Sequence, residues 1–282
     1  MPLEAISWIR KMRGGAQAHL ITADDGHHYV VKVKQNPQHR RVLVNEWVSS
    51  VLLDHLRIPS PKVAMIHLSE RFLAAHPETT ISTGNRAEPV VPGVHFGSRM
   101  PVDPGRFVIY DYLPDALLRT VGNIRDFAGI LVFDKWVHNV DSRQCVFFRA
   151  RLKDFRDPAP GAGKEGFVAL MMDHGYVFGG PHWLLEESPL AGLYCRQLVY
   201  EGIRSLDSFQ PWLDWVRNFP PEILDRAYRQ VPEWWLNGDR ELLEQLLERL
   251  YRRRTRIDAL IEDSRAGRAN PFPNWPIANS HS

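Results

Sequence analysis

The sequence predicts an α+β fold in two lobes, the first rich in strands and the second helical. Three observations carry this. Runs of β-branched residues bounded by turn residues fill the first third, helical periodicity rich in Trp, Leu and Arg runs from Pro189 onward, and two apolar runs flank a polar turn between them. The lobes are expected to meet near Tyr110 to Asp115. Residues 1–112 then form the N-lobe, 113–265 the C-lobe, and 266–282, which has no periodicity, a loose tail.

The elements follow in order. Ala18–Thr22 and Tyr29–Lys34 are strands around the turn Asp24-Asp25-Gly26, with Gly14-Gly15 just before the first. Asn36-Pro37 predicts an N-cap followed by proline at the first helical position, and Val44, Trp47, Val48, Val51 and Leu52 predict an amphipathic helix ending near Arg57. Lys62–Leu68 is a further strand. Residues 76–105 carry prolines, glycines and hydroxyl residues without a period and are expected to be an irregular loop, functional or mobile. Arg106–Tyr112 is expected to be a strong strand, 121–138 a helix, and Cys145–Leu152 and Phe167–Met172 two strands joined by a polar turn at 157–166. The last helix is expected over 239–264, with Leu242, Leu243, Leu246, Leu247, Leu250, Ile257, Leu260 and Ile261 on one face.

Composition narrows the class. With 282 residues, 44% hydrophobic and 24% charged, the chain can bury a sizeable core. Its formal net charge of +2 gives no basic field that would nominate nucleic acid or a membrane surface as partner. Cys145 and Cys195 cannot make a disulfide framework, and neither has zinc-site spacing. No apolar run approaches the roughly 18 residues of a membrane span, and Met1–Gly15 lacks the apolar core of a secretory signal, so a cytoplasmic location is expected.

Four residues carry the chemistry. Lys32 lies inside a β-branched run; the plain alternative is a strand with a wet face bearing Lys32 and Lys34. Glu46 has Val42, Leu43, Ser50 and Leu53 as helical neighbours, which predicts a carboxylate in need of a cation, and Lys32 on the preceding strand is the nearest candidate. An exposed edge position for Glu46 is the alternative. Asp141 precedes one strand of the central pair and Asp173 follows the other, so an antiparallel hairpin brings both to one end, where two carboxylates suit magnesium. Unrelated turn aspartates would be the bland reading. A lysine–glutamate pair followed by an aspartate loop, a hairpin and Asp-X-Gly is the part list of phosphoryl transfer from ATP.

The chain resembles the HipA-like kinases, within the wider protein-kinase-like superfamily. The resembling stretches are MRGGAQAHLI, YVVKVK with NPQHRRVLVNE, GVHFGSR, FDKWVHNVDSRQ and MMDHGYVFGGPHW, spread from Met12 to Trp183. The resemblance implies a two-lobed kinase fold with ATP between the lobes. Lys32 and Glu46 match the phosphate lysine and its helix partner, Asp141 the catalytic aspartate and Asp173 the metal aspartate. Gly14 and Gly15 match the loop over the phosphates, and Ile109, Tyr110, Asp111 and Tyr112 fall where the adenine-contacting linker belongs. Val146 stands where such catalytic loops carry an asparagine metal ligand, so Gln144 or Asn139 is asked to replace it.

The expected function is therefore ATP- and Mg2+-dependent phosphorylation of a protein Ser or Thr, this chain itself included. The alternatives are a nucleotide-binding pseudokinase and a small-molecule kinase of the aminoglycoside or choline type. Gly93–Arg99 is expected in a loop that caps ATP or receives phosphate at Ser98, with an ordinary surface loop as the alternative. Arg252, Arg253, Arg254 and Arg256 are expected on the solvated back of a helix, with contact to RNA or an acidic partner as the alternative, and Trp183, Trp212, Trp215, Trp234 and Trp235 to pack the helical lobe.

Overall fold

The computed structural model describes residues 1–84, 86–154, 165–267 and 270–275. The strand-rich part begins with β1 (Leu3–Lys11), β2 (His19–Ala23) and β3 (His28–Lys32), an antiparallel run. The chain then forms α1 (Arg41–His55), β4 (Val63–Leu68), α2 (Glu70–Ala75), the small hairpin β5 (Thr80–Thr83) and β6 (Arg86–Pro89), and β7 (Gly93–Arg99). Strands β1-β2-β3-β7-β4 close into a barrel, because β4 pairs with β1 in parallel at Leu3 and Ile66. Alternate residues Ile21 and Ala23, Tyr29 and Val31, and Ile66 and Leu68 belong to one buried cluster inside it. The period of two sends Lys32 the other way, toward α1.

The segment 76–105 is therefore not an irregular loop. It contains β7, the strand between β3 and β4, which the glycines and flanking prolines hide from local reading. Gly97 is there because a Cβ would lie 2.5 Å from Ile66 Cγ1. Ser98 accordingly sits in a paired strand, opposite Val30 and Val63. Asn36-Pro37 does not cap α1 either. Asn36 Oδ1 accepts the Gln38 N–H at 2.9 Å in a turn ahead of the helix, whose first position follows Arg40.

Arg106–Tyr112 forms no strand. Only Tyr110 pairs, exchanging 2.8 Å hydrogen bonds with Phe147, while Phe107, Val108 and Tyr112 are exposed. The helical part follows: α3 (Asp115–Leu118), α4 (Asp126–Val137), then the hairpin β8 (Gln144–Arg151) and β9 (Glu165–Met172) in register from Gln144–Met172 to Arg151–Glu165. The polar turn expected at 157–166 lies, as far as residue 164, outside the described residues. Next come α5 (Trp212–Arg217), α6 (Pro221–Gln230), α7 (Glu233–Leu236), α8 (Arg240–Arg253) and α9 (Ile257–Ala266).

α4 is buried on every side from Phe127 to Val137 and forms the centre of the main core. The expected 239–264 helix is broken by a tight turn at 254–256, and Leu242 faces solvent. The arginine run is not simply solvated: Arg253 donates to Glu186 O at 2.8 Å and Arg256 pairs with Glu187. Trp234 is exposed, whereas Trp183, Trp212 and Trp235 are buried. Within the expected loose tail, Phe272 is fully buried against Phe209 and Tyr200. Among the described residues no helix is long and apolar enough to cross a membrane.

Candidate active site

Three elements meet at Lys32. Its Nζ donates to Glu46 of α1 and, at 2.8 Å, to Asp173 Oδ1 just beyond β9. Lys32 and Glu46 are buried, so neither the wet-face nor the exposed-edge alternative holds. Glu46 also accepts the His174 N–H at 3.1 Å. Burial works against the Lys32 charge, but Glu46 and Asp173 outweigh it and hold its pKa above the ordinary value. Burial likewise opposes charge on Asp173, yet Lys32 prevails and keeps that carboxyl below its usual range. One cation serves two carboxylates, and for Glu46, the more buried, desolvation raises the pKa against the pull of Lys32.

The hairpin register puts Gln144 opposite Met172, so Asp141 and Asp173 do come to one end. Asp141 is half-buried. Its Oδ1 accepts the Ser142 N–H at 2.8 Å and its Oδ2 the Gln144 Nε2 at 3.1 Å. Asn139 is spent on the loop itself: it donates to Asp134 Oδ1 at 3.0 Å and accepts the Asp141 N–H at 3.1 Å. Of the two replacements considered for the missing asparagine, Gln144 is thus the one left at the surface. Val146, at the asparagine's place, is buried among Phe148, Val168 and Leu170.

Beneath this loop lies a second charged pair that local sequence does not announce. Arg143 donates to Asp134 through Nε at 2.8 Å and Nη2 at 2.5 Å, and both side chains are wholly buried. Its Nη1 reaches Met172 O at 2.8 Å and His174 Nδ1 at 3.2 Å, tying the Asp141 loop to the Asp173 loop. Burial, reinforced by Arg143 and Lys32, keeps His174 neutral. Asn45, beside Glu46 on α1, was also missed; a polar residue within the apolar run Val42–Val48 is the signal that could have found it.

Gly14 and Gly15 occupy the β1–β2 turn, with Gly14 at φ 116°. A Cβ on Gly15 would meet Gln38 Nε2 at 2.7 Å, so this turn lies against the approach to α1. Tyr110 is fixed on β8 by its pairing with Phe147, and Ile109 packs on the Val146–Leu170 cluster; Asp111 and Tyr112 are exposed. Two cavities of about 720 Å³ and 600 Å³ are lined by other residues, including Asp54 and Arg226 in one and Arg119 and Val199 in the other. Chemistry rather than cavity size marks the site.

The donor set suits a hard cation. Asp173 exposes about a third of its side chain, and Asp141 and Gln144 add oxygens at the same hairpin end. Among the described residues there is no closed cluster of three His, Cys, Asp or Glu side chains. An open set of one or two carboxylates is how magnesium is held when phosphate oxygens and water complete its shell.

A model of the HipA-like kinase family matches residues 6–146, half of the chain. No curated protein matches. Among solved structures, the Golgi casein kinase is similar with a TM-score of 0.50 at 12% identity, covering 99% of this chain and 75% of that one. Hydra Fam20, solved with sugar, gives a TM-score of 0.53 at 12% identity, covering 99% and 90%. At that identity these two likenesses speak to the fold.

Proposed function

The chain belongs to the HipA-like kinase family, and we propose that it is an ATP- and magnesium-dependent phosphotransferase acting on a protein Ser or Thr hydroxyl, its own included, in the cytoplasm. The observation that carries this is the assembled Lys32–Glu46–Asp173 cluster, drawn from a strand, a helix and a hairpin end. In this reading, residues 1–112 and 113–265 act as two lobes with the nucleotide between them.

Lys32 binds nucleotide phosphates, and Glu46 holds its ammonium in place. Asp173 and Gln144 offer oxygens to the metal, and Asp141 takes the proton of the acceptor hydroxyl. Gly14 and Gly15 let the β1–β2 turn approach the phosphates closely, and Ile109–Tyr112 meet the adenine. Bound magnesium supplies charge neutralisation on the transferring phosphate. Protein groups position the rest, since phosphoryl transfer asks mainly for alignment and charge stabilisation.

Transfer of label from γ-labelled ATP tests the reading. Asp173→Ala and Asp141→Ala are each expected to lower it by about a thousandfold or more, with the fold intact by circular dichroism. Unchanged labelling by purified Asp173→Ala protein would refute the assignment. Two observations favour a pseudokinase as the second reading: Val146 is buried, and Asn139 is committed to the loop. Magnesium-dependent nucleotide binding by the wild type, with no labelled product, would establish it.

A further inference from the structure

The chain leaving Asp173 runs through a kinked 3₁₀ segment, Val177–His182. Phe178 and Gly179 stand at φ 61° and 72° in the left-handed region, and Gly180 follows at φ 67° with ψ −138°, a conformation kept for glycine. For Phe the left-handed region costs about 1 kcal/mol or more. Asp173 at 59° and Trp183 at 57° bracket the stretch in the same region. The kink at 178–180 interrupts the short 3₁₀ ladder, so carbonyls left out of it need donors from elsewhere.

Tyr176 O takes the Val140 N–H at 3.1 Å, Pro181 O takes Arg41 Nη1 at 2.8 Å and Trp183 O takes Arg249 Nη2 at 3.0 Å. Three others are served by one side chain. Asn45 Nδ2 directs its two hydrogens at three carbonyls, Gly175 O at 2.8 Å, Val177 O at 3.1 Å and Gly180 O at 3.1 Å, so one hydrogen is shared between two of them. Its Oδ1 accepts from Trp183 Nε1 at 2.8 Å. Asn45 is fully buried, and both ends of its amide are engaged. An amide is suited to this, since it donates and accepts at once. The next residue, Glu46, takes the His174 N–H. Two successive side chains of α1 therefore hold the backbone at 174, 175, 177 and 180 and the ring of Trp183.

We propose that Asn45 is a positioning residue of the phosphotransfer site, fixing the left-handed turn at 175–183 and through it the placement of Asp173 against Lys32. Its purpose rests on the kinase reading; its hold on the turn does not. A residue that merely filled the core would weaken the whole fold evenly when removed. A positioning residue releases one segment and weakens what that segment places.

The experiment pairs amide hydrogen exchange on the nucleotide-free protein with calorimetric titration of magnesium and ADP. In Asn45→Ala, exchange at 175–183 is expected to quicken about tenfold while Leu243–Leu250 of α8 keeps its protection, and magnesium–ADP affinity to fall about tenfold. Should Asn45→Ala fail to fold, Trp183→Phe deletes the donor to Asn45 Oδ1 and is expected to give the same local pattern at about threefold. Exchange that is unchanged, or quickened evenly along the chain, overturns the proposal, as does local release with magnesium–ADP affinity at the wild-type level. A wild type that takes up no magnesium–ADP instead overturns the kinase reading, and local release in the variant then still supports Asn45's hold on the turn.

Discussion

Two buried charge clusters meet at the end of the β8–β9 hairpin, and they are built on opposite plans. Asp134 and Arg143 are one anion and one cation, wholly enclosed, joined through two guanidinium nitrogens, with the third nitrogen engaged by Met172 O and His174. Lys32 serves two carboxylates, and one of them, Asp173, is about one-third exposed. The first cluster is balanced and closed. The second pairs two carboxylates with one cation and is open to solvent at Asp173. Burial alone therefore does not distinguish the two clusters; charge balance and an exposed edge do.

Mutating the closed pair should give the larger stability effect. Arg143→Met leaves Asp134 buried without its cation and frees Met172 O, Asp141's loop and His174 together. A loss of about 3–5 kcal/mol in urea unfolding is expected, as for other broken buried pairs. A loss below about 1 kcal/mol would mean that water reaches Asp134, and the two clusters would no longer differ in kind.

Lys32→Met should cost less stability and more function. Glu46, whose pKa burial already raises, can take up a proton, and Asp173 can rehydrate at its exposed edge. We expect a loss of about 1–2 kcal/mol in unfolding but a fall of about a hundredfold or more in phosphate transfer. If Lys32→Met unfolds the protein as readily as Arg143→Met does, the open cluster is a structural pair as well.

The sequence made one of these clusters legible and concealed the other. Glu46 stood out because its helical neighbours are apolar, and the Asp141–Asp173 convergence followed from hairpin geometry, both short-range arguments. Arg143 pairs with Asp134 across the left-handed His138 and the loop that follows it, a course that no periodicity encodes. The same limit governs the fold. The β8–β9 hairpin and α1 were readable locally, whereas β7 takes its partners from β3 and β4, far earlier in the chain, and its glycines satisfy barrel packing rather than strand preference. Conversely, Arg106–Tyr112 has strand-forming residues but a pairing partner only for Tyr110.

Lys135 offers a third, milder case: a buried cation served by dipoles in place of an ion pair. It follows Asp134 on α4 and is 2% exposed, and its Nζ donates to Ser188 O at 3.1 Å and Pro189 O at 2.8 Å. Burial lowers its pKa from 10.5 to about 8. Between those values the unfolded chain binds the proton more tightly than the folded one, so stability should rise with pH across this window. The other titrating groups are common to wild type and Lys135→Met, so the difference between their unfolding free energies isolates the amine. That difference should shift in favour of the wild type by about 1 kcal/mol between about pH 7.5 and about pH 9. A difference that stays flat with pH would mean that neighbouring Asp134 keeps the ammonium charged. Asp134 would then serve two cations, Arg143 and Lys135, and the closed cluster would be the mirror image of the open one rather than its balanced counterpart.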